Sequence, residues 1–170
     1  MKPVIVETER LVLRELAPDD APFVLELLNT PKFLKYIADR GVRTLEEARR
    51  YIDERFLSSY RKNGYGLYAV ELKSDGTVVG TCGLVRRDTL PCADLGFAFL
   101  PEFEGKGYGF ESASAVLRYG WETLGFDRVL AITSLDNDAS GRLLGKLGFT
   151  VDKVEEIGGE SLRIYSLQIS

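Results

Sequence analysis

The sequence predicts an α+β fold in which helices flank a mixed sheet, and three stretches carry that prediction. Asp75-Gly76 lies between two runs of strand-forming residues, a strong short-range signal for an antiparallel hairpin. Ala93 to Leu100 is apolar on both faces apart from Asp94, as a strand covered on both sides should be. Ala113, Val116, Leu117, Trp121 and Leu124 then recur at 3.6-residue spacing, which predicts a helix over 109–124 with Gly125 at its C′ position.

The remaining elements follow in chain order. Arg10 to Leu16 alternates well enough for a first strand, and Pro18-Asp19-Asp20 marks a helix start ahead of Phe23, Val24, Leu27 and Leu28. Thr44 and Glu47 make a capping box, in which hydroxyl and carboxylate each satisfy one free N–H at the start of a helix carrying Ala48, Tyr51, Ile52 and Phe56. Gly66 to Leu72 and Val78 to Val85 are the strands of the Asp75-Gly76 hairpin. Gly96 in the next strand points to a bulge or a close backbone approach. Val129 to Thr133 is a short buried strand, Asp136 to Leu147 a helix ended by Gly148, and Thr150–Glu155 with Leu162–Ile169 a second hairpin around Gly158-Gly159. With 170 residues, no internal repeat and no linker, the chain reads as a single domain over 1–170.

Composition excludes several kinds of chemistry. A net charge of −4 gives no broad basic field for nucleic acid or an anionic membrane, and no apolar stretch approaches the length of a span. A soluble cytoplasmic protein is expected. Histidine is absent, which removes Ser-His and Cys-His nucleophile pairs and His-based zinc sites. Cys82 and Cys92 lack the spacing of a metal or redox motif, and Cys82, beside Gly80 and Gly83, reads as a small core residue. Chemistry is left to carboxylates, hydroxyls, backbone amides and water, and no metal is expected.

The densest unusual feature is Glu104-Gly105-Lys106-Gly107-Tyr108-Gly109, between the buried strand and the long helix. Glycines cost ~0.5–1 kcal/mol each to order relative to Ala, so close backbone approach to a ligand is one reason for three of them. Amides at a helix start, with the helix dipole, attract phosphate, and Lys106 adds positive charge. The alternative is a turn that merely lets chain and helix pack. Other phosphate motifs fail on spacing: no P-loop pattern exists, and Phe110 stands where the dinucleotide fingerprint needs its third glycine.

In their order and spacing these motifs resemble the GNAT N-acetyltransferase superfamily, and within it the branch that acetylates ribosomal-protein N-termini. The resemblance spans nearly the whole chain. It rests on Glu7-Thr8-Glu9-Arg10-Leu11-Val12-Leu13-Arg14, Asp94-Leu95-Gly96-Phe97, Pro101, Gly105-Lys106-Gly107-Tyr108-Gly109 with Glu111 and Ala113, Asn137 with Ser140, Leu143-Leu144, and Lys146-Leu147-Gly148-Phe149. It implies a three-layer α/β arrangement around a mixed, mostly antiparallel sheet of six or seven strands. The fourth and fifth of these run parallel and splay apart, and acetyl-CoA enters between them as co-substrate. By position, the backbone of Phe97, Ala98 and Phe99 pairs with pantetheine, the N–H groups of Gly105, Lys106, Gly107, Tyr108, Gly109 and Phe110 hold pyrophosphate, and Asn137 hydrogen-bonds the pantetheine arm.

Two positions depart from the superfamily. Glu104 occupies the first position of its Gln/Arg-x-x-Gly-x-Gly/Ala motif, and its carboxylate is expected to turn outward, with Lys106 offsetting part of the charge. Leu144 stands where many members place a tyrosine that protonates the leaving thiolate. The ribosomal branch generally lacks that tyrosine and gives the acid role to the Asn-x-x-Ser serine, here Ser140. Alternatively Asn137 or Asp136 caps the helix and Ser140 is a first-turn residue without chemistry. The base used by some members falls near Ile132, which cannot act. Asp94 is the charge in an otherwise apolar strand and has a raised pKa if buried, or is simply a solvent-facing or hydrogen-bonded strand carboxylate. Glu160, and water held by Thr133 or Ser134, stay open as bases. The partner implied is an amine-bearing acceptor, a protein N-terminus or a small amine such as a polyamine or antibiotic. The segment from Pro31 to Val42 and the aromatic run Tyr60 to Tyr68 either frame its groove or are surface helices and core. A catalytically silent acyl-CoA-binding module is the competing function, and monomer or homodimer is the expected assembly.

Overall fold

The computed structural model describes residues 2–169. Its sheet has eight strands in the order β1-β2-β3-β4-β5-β6-β8-β7. These are β1 (Val4–Glu7), β2 (Leu11–Arg14), β3 (Leu67–Leu72), β4 (Val78–Val85), β5 (Asp94–Phe99), β6 (Arg128–Ser134), β7 (Thr150–Ile157) and β8 (Glu160–Gln168). The strand beyond the expected six or seven is β1, whose apolar run Val4-Ile5-Val6 lacks the alternation that marks a half-buried strand. All neighbours pair antiparallel except β5 and β6, which are parallel.

The hairpin between β3 and β4 forms as its turn chemistry requires. Gly76 adopts φ +76, and the Asp75 carboxylate accepts from the Thr77 amide at 3.0 Å. The helices are α1 (Ala21–Leu28), α2 (Pro31–Tyr36), α3 (Leu45–Tyr51), α4 (Ser58–Asn63), α5 (Tyr108–Glu122) and α6 (Asp138–Lys146). A π-helical turn, Ile52–Leu57, joins α3 to α4. At the start of α3 the Glu47 amide donates to Thr44 Oγ1 at 3.1 Å, while the Glu47 carboxylate accepts from the Arg43 amide at 3.1 Å, one residue upstream of the reciprocal contact expected. Among the described residues no helix is long and apolar enough to cross a membrane.

Strand alternation divides the core. Tyr68 and Val70 of β3 pack on the face covered by Ala113, Val116 and Leu117 of α5 and Leu144 of α6. Ala69, between them, faces Val24, Leu27 and Leu28 of α1, Phe33 of α2 and Ala48 of α3. β5 and β6 lie between these layers in the middle of the sheet, and the site forms where they meet.

Candidate active site

β5 and β6 pair at a single position, Asp94 with Leu130, where the Leu130 amide donates to the Ala93 carbonyl at 3.0 Å. Past it the two strands part. Because peptide groups alternate along a strand, those of Gly96 and Ala98 point to β4, and those of Phe97 and Phe99 face the gap toward β6 without a ladder partner. The fork opens into a cavity of about 950 Å³ that runs from the glycine loop and α6, past the gap, to α1 and α2. That volume is within the range of small-molecule sites.

The three loop glycines do different work. Gly105 at φ +74 and Gly107 at φ +85 hold left-handed turns that side chains rarely adopt, and Gly107 is the N-cap of α5. Gly109 serves packing: a Cβ there would stand 3.2 Å from Leu143 Cδ2 on α6. The packing explanation thus applies to Gly109, while Gly105 and Gly107 are required by the turn. The first amides of α5 have no intrahelical acceptor and, with the dipole, favour an anion. Gly105, Gly107, Tyr108 and Gly109 line the cavity, whereas Lys106 and Phe110 do not. Glu104 pairs with Lys32 Nζ of α2 at 2.5 Å. Glu104 lines the cavity, and its charge is offset by Lys32, with no ion pair to Lys106 among the described residues.

On the opposite wall Asn137 caps α6, its Oδ1 accepting from the Ser140 amide at 3.2 Å. The cap consumes the acceptor and leaves the Nδ2 donor for a ligand, so capping and ligand contact are compatible at this residue. Ser140 lines the cavity from the first turn of α6, and Leu144 below it is buried apolar core with no acid to offer. Thr133 Oγ1 and Ser134 Oγ, on β6 beyond the pairing point, are buried without a hydrogen-bond partner among the described residues, and both residues line the cavity. A buried hydroxyl left unpaired costs ~1–3 kcal/mol, which a polar ligand in the gap recovers. The unpaired β5 peptides, the two orphan hydroxyls and the α5 amides together fit an extended, amide-bearing diphosphate ester such as acetyl-CoA.

Asp94 is 1% exposed at the fork, with Oδ1 accepting from Arg87 Nε at 3.0 Å. Burial pushes its carboxyl up to about 6, and the Arg87 guanidinium pulls in the opposite direction. Asp94 is thus not solvent-facing: it is a buried carboxyl that is also hydrogen-bonded. Glu160 and Leu162, where β8 begins, reach the cavity as well. The aromatic run does not frame a groove: Tyr60 and Tyr68 stack in the core with ring centroids 5.5 Å apart, and only Leu67 of that run lines the cavity. Lys32, Phe33, Tyr36 and Arg40 of the Pro31–Val42 segment do line it. Cys82 is fully buried and its thiol is pushed up to about 12 by burial, which makes it inert as a nucleophile.

A sheet forked between parallel strands, with a helix mouth beside the fork, defines a class of acyl-CoA-using enzymes. Residues 10–150 match the model of the acetyltransferase (GNAT) domain, and the chain belongs to this family of acetyl-CoA-dependent N-acetyltransferases. It is 29% identical over 153 residues, 88% of this chain and 85% of the relative, to an uncharacterized N-acetyltransferase, YoaA, of Bacillus subtilis (strain 168). Over 97 residues, 55% of this chain and 50% of the other, it is 31% identical to the ribosomal protein uS5-alanine N-acetyltransferase of Escherichia coli (strain K12). Among solved structures, RimL, a ribosomal L7/L12 alpha-N-protein acetyltransferase in complex with coenzyme A, superposes with a TM-score of 0.82 at 19% identity, covering 98% of each chain.

Proposed function

We propose that the chain acts as one catalytic domain that moves the acetyl group of acetyl-CoA to a protein N-terminal α-amine of the ribosomal type, by direct attack of the amine on the thioester. The observation that carries this is the fork: one β5–β6 pair at Asp94 and Leu130, unpaired peptides beyond it, and helix-start amides beside it. The partial identity to the uS5-alanine enzyme supports the acceptor class. Backbone of Phe97 and Phe99 would pair with the pantetheine amides, the amides of Gly105, Gly107, Tyr108 and Gly109 would hold the diphosphate, and Asn137 Nδ2 would donate to the pantetheine arm. Ala98, whose peptide is taken by β4, and Lys106 and Phe110, which do not line the cavity, drop out of the expected set. A β5 amide beside the thioester carbonyl would serve as oxyanion donor.

Ser140 is the proton donor to the departing thiolate in this scheme. Ser140→Ala should lower kcat on the order of a hundredfold while barely moving KM for acetyl-CoA. An unchanged kcat removes the role. Asp94 is the base that takes the amine's proton, directly or through water on Thr133 or Ser134. Its deprotonated form is required, so turnover should fall as pH drops through about 6. In Asp94→Asn kcat should drop and that acidic limb should disappear; a limb that persists assigns it to another group.

The Phe33, Tyr36, Tyr51 and Phe56 rings along the far cavity wall favour a second reading, a small amine with an apolar body such as an amine antibiotic or a polyamine. Thiol release from acetyl-CoA against N-terminal peptides, polyamines and antibiotics decides between them. Turnover confined to peptides supports the first reading. Saturable CoA binding with no thiol release from any amine overturns both in favour of a silent module.

A further inference from the structure

The turn from β1 into β2 is tied to α5 by a cluster the catalytic scheme does not use. Glu111, in the first turn of α5, accepts from the Thr8 hydroxyl at 2.5 Å, the Arg10 amide at 2.9 Å and Arg10 Nε at 2.7 Å. Arg10 Nη1 donates to the Lys106 carbonyl at 3.1 Å, and the guanidinium lies 4.6 Å from the centroid of the Tyr108 ring. A Cβ at Gly107 would stand 3.2 Å from Arg10 Nη2, so the missing side chain lets the guanidinium approach. Burial raises the Glu111 carboxyl, but the Thr8 and Arg10 hydrogen bonds outweigh it and hold the group below its ordinary value, an anion at neutral pH. Arg10, Lys106 and Glu111 all lie outside the cavity, behind the loop whose other side lines it.

The Lys106 carbonyl and the Gly107 N–H belong to one planar trans peptide, in which C=O and N–H point in opposite directions. When Arg10 takes the carbonyl on the back of the loop, the Gly107 N–H is turned to the front. Gly105 and Gly107 on either side make rotation of that peptide cheap, and a rotated peptide would aim a carbonyl oxygen at the anion. We propose that Arg10, braced by Glu111 and Thr8, is a positioning residue that fixes the Lys106–Gly107 peptide so that the loop presents amides, not a carbonyl, to the diphosphate of CoA. This rests on the reading of the loop as the diphosphate site.

The test is calorimetric titration of the full chain with CoA and with pantetheine, which carries the amide arm but no diphosphate. Arg10→Ala and Glu111→Gln should each weaken CoA about tenfold or more, the equivalent of one hydrogen bond to a charged group, and leave pantetheine affinity unchanged. Arg10→Lys should not rescue, because one ammonium cannot replace the fork that holds the Glu111 carboxylate and the Lys106 carbonyl together. In turnover the same variants should raise KM for acetyl-CoA with kcat at saturation preserved. CoA affinity within twofold of the unaltered protein in both Arg10→Ala and Glu111→Gln overturns the proposal, as does equal weakening of CoA and pantetheine, the mark of a general structural role. Should the unaltered protein bind pantetheine as tightly as CoA, the loop holds no diphosphate; the reading of the site falls and takes the proposal with it.

Discussion

Gly107→Asp is expected to abolish measurable CoA binding while the protein stays folded. Gly107 sits at φ +85, where an L side chain costs ~1–2 kcal/mol, and Asp is among the residues that tolerate it best. The nearest atom to the new Cβ is Arg10 Nη2 at 3.2 Å, a charge of opposite sign that can shift to meet the carboxylate. With ~2–4 °C of melting temperature per kcal/mol at this chain length, a loss of only a few degrees follows. The ligand meets a different balance. A carboxylate drawn to Arg10 takes that guanidinium from the Lys106 carbonyl and, even ~8 Å from a phosphate charge at an effective dielectric of 20, is unfavourable by about 2 kcal/mol, so the lost brace and the charge together weaken CoA on the order of several hundredfold. Gly107→Ala carries the backbone cost without the charge and should lose far less. Calorimetry with CoA and a melting curve separate these effects. CoA affinity retained within tenfold in Gly107→Asp shows that the helix mouth does not hold the diphosphate.

Local chemistry made the elements of the cradle legible, and long-range contacts hid what braces them. The Asp75-Gly76 turn, the 3.6-residue rhythm of α5 and the glycines at 105 and 107 are local signals, and each element lies close to where its residues place it. Asp94 stood out as a charge in an apolar strand, and the fork does place it at the pairing point. The partners of these residues come from far along the chain: Lys32 meets Glu104, and Arg10 meets Glu111 and Lys106. No spacing rule reaches across such separations. Arg87 is the exception, since the β4–β5 turn returns it beside Asp94, a proximity readable once both strands are assigned. The sequence leaves the aromatic run Tyr60 to Tyr68 undecided between groove and core for a physical reason, because a tyrosine ring suits either provided its hydroxyl finds a partner. The Tyr60 hydroxyl finds one in the Leu67 carbonyl.

Asp20→Ala should produce the largest loss of stability on a residue remote from the cavity. Asp20 is 5% exposed and grips Arg14 through two hydrogen bonds, Nη1–Oδ2 and Nη2–Oδ1, both 3.0 Å. Its Oδ2 also accepts from the Ala17 amide at 2.8 Å, and Arg14 Nε reaches Glu71 of β3 at 3.3 Å. Removing Asp20 leaves the buried Arg14 with only Glu71 and the Glu15 carbonyl as partners, a loss toward the lower end of the ~3–5 kcal/mol for breaking a buried pair, or roughly 10 °C of melting temperature at this size. Replacing both, as in Arg14→Met with Asp20→Leu, removes the stranded charge and should recover much of the loss. The pair also sets an acid dependence. Burial raises the Asp20 carboxyl, but Arg14 and the Ala17 amide outweigh it and hold the folded-state pKa below the unfolded value of about 3.9. The stabilisation is therefore present above that unfolded value and lost as pH falls through the folded one. Melting curves between pH 7 and pH 2 should show a steeper acid decline for the unaltered protein than for Asp20→Ala, and parallel declines would remove Asp20 as the titrating group. Arg14 closes one end of β2 against the start of α1, while Arg10 ties the other end to α5. Loosening the Arg14 end should lower the melting temperature while CoA affinity in the folded protein holds, because the peptide that faces the diphosphate is fixed from the opposite end of the strand.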